Sequence, residues 1–530
     1  MPRGTQIING TEYVYEYDST WNATKKYGTH KRNYIGKMVD GVFVPNKKYK
    51  LQLELDEARQ KVPGPVPVTQ CKRTFYGATY LFDAIGEKLG ITSDLKKCFP
   101  DTYTKILSVA YYLIMEDRNP LSRFPKWART HEHPFGANIP SQRSSELFSS
   151  ISEDAKQHFF RLQSSRRLEK EYLAYDTTSI SSYSKLIKQV KYGKNKDHEP
   201  LAQLNLALVY GEDSRLPVYY RKLPGNITDV MTVKKMLADI DFLHLNKVKL
   251  VMDRGFYSEA NINALYHKHY KFMIATKISL KYVQEQLHEV RETMLSRSHY
   301  SSKYKLNYYS CMITWHYQET KKRSGIVESK EKRMYLHLFH NDQQAADDKA
   351  AFNNLLDRLE VELLSGSRNP AHESLYNKYY QIKQTPVRGI TLTPKQEAIN
   401  ETEKDYGYFA LISNDVKDPL EALRIYRTKD VIEKAFGNLK ERLNMRRTSV
   451  SSEENLEGKL FVQFVALIYL SYIDKAMREN NFYKDYTLQE LLDELDVIER
   501  FEQPGRQYHI GEMTKKQIEL YRCLEVDVPS

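Results

Sequence analysis

The chain opens with a period of two. Tyr13, Tyr15 and Tyr17 alternate with Val14 and Glu16, the spacing of a β-strand. Asn33-Tyr-Ile lies between Gly28 and Gly36, and Val42-Phe-Val follows Gly41, so residues 1–50 predict a small antiparallel sheet. Residues 51–70 are charged and then proline-rich (Pro63, Pro65, Pro67), the composition of a linker. From 76 to 170 the period becomes helical. Leu81, Ala84, Ile85 and Leu89 form one apolar face ending at Gly90, and Ile106, Val109, Ala110, Leu113 and Ile114 form another. Two short helical patterns at 141–149 and 153–162 follow, joined by a brief turn. Such a pair is either a helix-turn-helix reading a DNA groove or an ordinary packed pair.

A third pattern starts at 170. Apolar runs at 173–175, 204–209 and 217–220 read as strands. A helix follows, with Asp229 and Thr232 among its candidate caps and Val233, Met236, Leu237 and Ile240 inside. Strand 248–252, helix 260–266 and strand 272–275 complete a mixed α/β layer on one sheet. Residues 277–407 interrupt it with strand-like runs at 312–315 and 334–339 and a helix at 342–364. A stretch that long is expected to be an inserted subdomain, because a structureless loop of that length is unusual. The strand pattern returns at 409–412. Asp418-Pro419-x-Glu421 then heads a helix with an N-cap, a proline in the first turn and a capping glutamate, and Ile432, Phe436, Leu439 and Leu443 form its buried face. Thr487-x-x-Glu490 caps a last helix bearing Leu488, Leu491, Leu492, Leu495 and Ile498. There is no internal repeat.

The expected class is therefore α/β, a mixed-sheet core with an inserted β-containing subdomain, a small N-terminal β region and helical flanks. The boundaries expected are 1–62 (β domain), 63–168 (helical, with the candidate DNA-contacting pair), 169–276 (core, first part), 277–407 (insertion), 408–476 (core, second part) and 477–530 (C-terminal helical region).

Composition adds a partner. At 530 residues the chain exceeds one ordinary core, and 41% hydrophobic residues supply what a folded protein needs. A net charge of +12 and a pI of about 9.0 favour a polyanion. Bases concentrate at 181–200 and 421–447, whereas 484–502 is acidic. Cys71, Cys98, Cys311 and Cys523 are dispersed, as free thiols in a reducing cytoplasm would be, and give neither a disulfide framework nor a zinc site. The longest apolar stretch, 460–473, is interrupted by Gln463 and Ser471. It is shorter than the roughly 20 residues a membrane span needs, so a core helix, a soluble protein and no membrane partner are expected.

The chemistry lies in three acids. Asp176 follows an apolar run in Tyr172-Leu-Ala-Tyr-Asp176, Asp253 follows another in Lys249-Leu-Val-Met-Asp253-Arg-Gly, and Glu433 stands among cations. Phosphodiester cleavage needs an activated oxygen nucleophile and charge neutralisation, which two divalent ions provide. Mg²⁺ takes hard oxygen ligands, so carboxylates from three elements suffice. Tyr426, Glu433 and Lys440 are seven residues apart, and on one continuous helix they share a face, drifting only about 20° per heptad. Lys429 lies one turn before Glu433, in reach of it or of a phosphate. The bland alternative is a surface helix with i,i+4 pairs of about 0.2–0.5 kcal/mol each. His131-Glu-His133 and His337-x-x-His340 lack a third ligand and read as packed or surface histidines. Ser179, Ser181 and Ser182 read as a polar turn, and without a Gly-rich phosphate loop no nucleotide is called for.

These residues carry a resemblance. The chain resembles bacterial insertion-sequence transposases of the DDE class, which have an RNase H-like core, and the subgroup whose glutamate lies in Tyr-x2-Arg-x3-Glu-x6-Lys. Tyr426, Glu433 and Lys440 match that spacing, Asp253-Arg-Gly-Phe resembles the second-aspartate motif, and Asp176 in Tyr-Asp-Thr-Thr matches the first in context. Gly225-Asn-Ile-Thr-Asp229 is similar to a family segment between them, and the likeness spans about residues 140–475. Lys429 departs from the family's arginine, keeping the charge but losing the bidentate fork, and Arg427 is a candidate to take over.

The resemblance implies a DNA transposase. Asp176, Asp253 and Glu433 would hold two Mg²⁺ (or Mn²⁺) ions, and Tyr426, Lys429, Lys440 and Arg254 would contact phosphates. It implies nicking at terminal inverted repeats, attack of the freed 3′-hydroxyl on target DNA, and a homo-oligomeric synaptic complex. Some relatives pass through a DNA hairpin, and in relatives the insertion is β-rich and helps handle the transposon end. The setting expected is the bacterial cytoplasm, at the nucleoid when bound to DNA. Two other readings stand beside it: a different nuclease or resolvase on the same core, and a non-catalytic DNA-binding descendant.

Overall fold

The computed structural model describes residues 3–22, 27–60, 71–167, 171–242, 248–320, 327–385, 389–450, 452–504 and 507–530. The chain forms two compact units, Met1–Arg73 with Arg500–Gly511, and Thr74–Glu499 with Glu512–Ser530.

The first unit holds an antiparallel sheet of β1 (Arg3–Ile8), β2 (Thr11–Asn22), β3 (Tyr27–Val39) and β4 (Val42–Pro45), paired in chain order. Its turns Asn9-Gly10 and Asp40-Gly41 have φ of 48°, 77°, 50° and 77°. Positive φ at both central residues is what a two-residue hairpin needs to follow the strand twist. Tyr15 and Tyr34 face each other across β2 and β3 with ring centroids 5.6 Å apart. The linker expectation fails at its start, because Lys47–Gln60 is helix α1. This segment contains no Gly, Pro or β-branched residue, and the Asn46 side chain accepts the Tyr49 amide at 2.8 Å. Pro63, Pro65 and Pro67 lie outside the described residues.

After the short strand β5 (Lys72–Phe75) come α2 (Gly77–Lys88), α3 (Ile91–Cys98), α4 (Tyr103–Met115), α5 (Phe124–Trp127), α6 (Ser141–Ser150) and α7 (Glu153–Arg167). The predicted helical pair is α6 and α7. Leu147 and Phe148 of α6 and Phe159 and Phe160 of α7 are buried.

The core is one ten-stranded sheet. It contains β6 (Leu173–Ser182), β7 (Gln203–Gly211), β8 (Pro217–Pro224), β9 (Lys249–Met252) and β10 (Lys271–Thr276), with α8 (Asp229–Phe242) and α9 (Glu259–His267) between strands. The spatial order β8-β7-β6-β9-β10, with β7 antiparallel to its neighbours and β6, β9 and β10 mutually parallel, is an RNase H-like arrangement. One expectation is corrected: Ser179, Ser181 and Ser182 are no turn but the buried end of β6. Burial is tolerated because partners exist. Ser179 bonds Asn205 at 3.3 Å, Ser181 accepts from Asn195 at 3.1 Å, and Ser182 donates to the Thr448 carbonyl at 3.3 Å.

Residues 277–407, expected to be an insertion, hold α10 (Lys281–Met294), β11 (Tyr300–Ser301), β12 (Leu306–Thr320), β13 (Val327–His340), α11 (Asp342–Leu364), α12 (Glu373–Tyr379), β14 (Tyr380–Thr385), β15 (Gly389–Pro394) and α13 (Gln396–Glu403). Their hairpin joins the core sheet, since β13 pairs with β16 (Tyr408–Ser413), which pairs with β10. The helices keep a separate apolar centre of Phe352, Leu359, Leu363 and Tyr376.

The chain then forms α14 (Pro419–Arg427), α15 (Asp430–Gly437), a π-helical turn at Asn438–Arg442, β17 (Arg447–Thr448) beside β6, α16 (Glu453–Glu479), α17 (Leu488–Asp496) and, near the end, α18 (Lys515–Cys523). The Asp418 side chain accepts the Glu421 amide at 2.7 Å, and Thr487 with Glu490 forms the predicted capping box. Helix α16 is long and apolar enough to cross a membrane, yet 83% of its most apolar window is buried within the protein.

Candidate active site

Parallel pairing of β6 with β9 ends at Tyr175 opposite Met252. The next residue in each segment is an acid, Asp176 within β6 and Asp253 just past β9, so the register brings two acids to neighbouring backbone positions. Asp176 lies within β6, not at its end as the sequence suggested, because β7 continues to pair with it through Leu208. Asp253 directly follows β9 and caps a short 3₁₀ turn, its side chain accepting the Arg254 amide at 2.8 Å.

Helix α14 lies on this sheet through Ala422, Leu423 and Ile425, packed with Val251, Met273 and Leu411. That anchors Tyr426, whose hydroxyl donates to Asp253 Oδ1 at 2.8 Å. Tyr426, Glu433 and Lys440 do not share one continuous helix, which corrects the sequence expectation. The break falls at Thr428, whose hydroxyl donates to the Ile425 carbonyl, a back-bond that competes with helical pairing. The Val431 and Ile432 amides then reach only three residues back, to Thr428 and Lys429. A second departure is the π turn, where the Leu443 amide bonds the Asn438 carbonyl at 3.0 Å.

The three residues reach the site from three segments. Ile432, Ala435 and Phe436 bury one face of α15 and hold Glu433, itself 57% exposed, on the other side. Lys429 donates to Glu433 Oε1 at 2.8 Å and lies 5.6 Å from the Tyr426 ring centre. Its half-buried ammonium feels Asp253 and Asp176 as well. Burial opposes its charge, but these carboxylates outweigh burial and hold its pKa above the usual lysine value. Lys440 points inward. Only 9% exposed, it bonds both oxygens of Asp197 at 2.8 and 2.6 Å. In the ligand-free fold its ammonium is thus held by a carboxylate and turned away from solvent. Arg254 is exposed and borders a cavity of about 800 Å³ shared with Asp253, Tyr426 and Lys277.

Four further residues belong to the cluster. Lys196 Nζ bonds the Thr177 carbonyl at 2.6 Å and hydroxyl at 2.9 Å, and lies 3.4 Å from Asp176 and 3.8 Å from Asp229. Thr177 donates its hydroxyl to Asp229 Oδ1 at 2.6 Å. Asp197, next to Lys196, is the partner of Lys440. In the sequence Lys196 is one of several lysines at 181–200, and Asp229 reads only as a helix cap. The segment Gly225-Asn-Ile-Thr-Asp229 was the one signal that could have found it.

Electrostatics separates the two aspartates. Burial pushes Asp176 upward, only partly offset by Lys196. Burial also pushes Asp253 upward, but the Tyr426 hydroxyl, the Arg254 amide and Lys429 together hold it below the ordinary carboxylate value. Among the described residues no three His, Cys, Asp or Glu side chains form a ready metal cluster. The donor set nevertheless suits a hard divalent cation. The bonds to Asp176 and Asp253 fall on Oδ1 and that to Glu433 on Oε1, so among the described residues each acid retains a second oxygen without a protein donor. The Lys429 ammonium now lies near all three, with Lys196 beside Asp176. His131 and His337 are no ligands of this site. His131 bonds Asp496 at 3.0 Å, and buried His337 bonds Ser310 and the Val416 carbonyl.

A family model described as a transposase DDE domain matches residues 167–469. Among solved structures, the cryo-EM structure of a piggyBac transposase synaptic complex with hairpin DNA is 12% identical, covers 78% of this chain and 70% of that chain, and has a TM-score of 0.34. No curated protein matches the chain.

Proposed function

The chain belongs to the DDE transposase domain family, and from that premise we propose that it cleaves DNA at the terminal inverted repeats of a mobile element and joins the freed 3′-end to target DNA. The observation that supports the reading most is the β6–β9 register, which brings Asp176 and Asp253 to neighbouring backbone positions, with Lys429 pairing Glu433 and feeling both aspartates. Asp176, Asp253 and Glu433 would hold two Mg²⁺ or Mn²⁺ ions. When bound, such ions neutralise charge at the phosphate and acidify the attacking water.

The chain's own residues have distinct tasks. The Tyr426 hydroxyl fixes the Asp253 carboxylate, leaving Oδ2 for the ligand role. Arg254, exposed beside it, grips a phosphate oxygen. Lys429, paired with Glu433 in the ligand-free fold, would be the charge partner of a DNA phosphate in the complex. Lys440 acts through Asp197, holding the loop that carries Lys196. The protein is proposed to work as a homo-oligomer that synapses two ends, to derive from a bacterial insertion sequence, and to act in the cytoplasm.

Asp253→Asn tests this directly. Cleavage of an end-bearing duplex should fall by more than the roughly 100-fold typical of changes around a metal ligand, while duplex binding in a gel-shift assay persists. Undiminished cleavage by the variant would overturn the assignment. The second reading, a non-catalytic DNA-binding descendant, draws on the Lys429–Glu433 pair. It predicts wild-type binding without cleavage under any divalent ion.

A further inference from the structure

We propose that a basic cavity on the neighbouring face of the α14–α15 pair is a second DNA site, one that grips a phosphodiester backbone away from the reacting carboxylates. This rests on the transposase reading above and names a site that the reading does not require. The cavity encloses about 590 Å³ and draws cations from separate segments: Arg215 after β7, Arg424 and Arg427 at the end of α14, Lys434 on α15, Arg478 on α16 and Lys484 beyond it. Two acids line it, Asp430 and Asp474.

The balance of charge decides what it takes. Asp474 is already claimed by Arg478 at 2.7 Å and by the Tyr483 hydroxyl. Arg424 is claimed by Glu421 at 2.9 Å and Glu212 at 3.1 Å. Setting these aside leaves Arg215, Arg427, Lys434 and Lys484 facing Asp430 alone, a local excess of three positive charges. Among the described residues Arg215, Lys434 and Lys484 have no ion-pair partner, and the Arg427 guanidinium lies against the Tyr304 ring, 5.1 Å from its centre. Uncompensated cations gathered from separate segments into one concavity raise the local concentration of a polyanion. A single small anion would need fewer of them, whereas a backbone segment presents successive phosphates.

Position links the cavity to the chemistry. Glu433 and Lys434 are adjacent on α15, so their side chains leave the helix about 100° apart. Glu433 serves the carboxylate site and Lys434 lines the cavity. A strand leaving the reacting site across α15 would pass from one to the other. The site therefore holds DNA flanking the scissile bond and sets its register, and it carries no base information of its own.

The test compares wild type with the triple variant Arg215→Ala/Lys434→Ala/Lys484→Ala in the full chain, on a duplex of arbitrary sequence, by measuring affinity against salt. These side chains form no ion pair among the described residues, so thermal unfolding should be unchanged, and Lys434→Arg/Lys484→Arg should bind as wild type does. The slope of log affinity against log salt should become shallower by about 2–3 in the triple variant, roughly 0.9 for each phosphate that is no longer neutralised. An unchanged slope overturns the proposal. So does an unchanged slope with loss of self-association in sedimentation, which would assign the cavity to an acidic segment of a second copy. A wild type that binds no DNA sinks the transposase reading first, a result distinct from either.

Discussion

Lys440 shows how one ion pair decides between two roles. As a phosphate ligand it would be exposed, and its loss would lower the salt slope of DNA binding by about 1. As the buried partner of Asp197 it holds a loop, and its loss leaves a mostly buried carboxylate unpaired, at a cost of about 3–5 kcal/mol when such a pair is broken from one side. Lys440→Met should therefore lower the unfolding midpoint and leave the salt slope intact. Asp197→Asn in the same background should recover part of the stability. A shallower slope with unchanged stability would restore the phosphate role. Asp83 offers a second test at this scale. Burial raises its pKa to about 6 even though the Tyr111 hydroxyl donates to it at 2.8 Å. The folded state thus binds this proton more tightly than the unfolded chain, whose value is near 3.8. The stabilisation is complete below pH 4 and is lost as pH rises through 6, on the order of 3 kcal/mol. Asp83→Asn keeps an acceptor for Tyr111 and removes the ionisation. It should gain stability over wild type at pH 8 and gain little at pH 4. An equal effect at both pH values would show that the carboxyl is not the titrating group.

At the scale of elements, what could be read in the sequence followed from local pattern, and what could not depended on partners distant in the chain. The strand runs before Asp176 and Asp253 are visible because both strands are buried and apolar. The helix starts at Asp418 and Thr487 are visible because a cap is a local device. The break at Thr428 is not, since a heptad count cannot see a hydroxyl bonding back to Ile425. Nor is the buried end of β6, where Ser179, Ser181 and Ser182 look like a turn until Asn205, Asn195 and Thr448 arrive to satisfy them. The insertion's hairpin likewise looks self-contained until β13 meets β16. Packing of elements makes a prediction of its own at Gly458, where α16 meets α6. A Cβ there would lie 2.1 Å from the Phe148 carbonyl oxygen and 2.5 Å from its Cα, both backbone atoms. Gly458→Ala would ordinarily favour a helix by about 1 kcal/mol. Here overpacking of about 1–3 kcal/mol or more should win, and the unfolding midpoint should fall. A rise in the midpoint would mean that α6 does not dock as closely as this approach requires.

At the scale of the whole molecule, the site's charge is coupled to stability. Asp176, Asp253, Glu433 and Asp229 face three cations in the ligand-free fold, Lys429, Lys196 and Arg254. Clustered carboxylates with too few cations cost free energy, and a ligand that binds only the folded state returns it as RT ln(1 + [L]/Kd), about 2.7 kcal/mol at a hundredfold excess over Kd. Mn²⁺ should therefore raise the unfolding midpoint of wild type in a saturable way that NaCl at equal ionic strength does not reproduce. Asp253→Asn should abolish that rise, because it removes a charged ligand while leaving an oxygen for Tyr426. Lys429→Met should unfold at lower temperature without Mn²⁺ and recover most of the difference with it, since the ion then supplies the positive charge the lysine supplied. This readout is independent of cleavage, so it separates a chain that binds the ion and fails at a later step from one that never binds it. Equal stabilisation of wild type and Asp253→Asn by Mn²⁺ would place the ion elsewhere and remove the carboxylate site from the account of function.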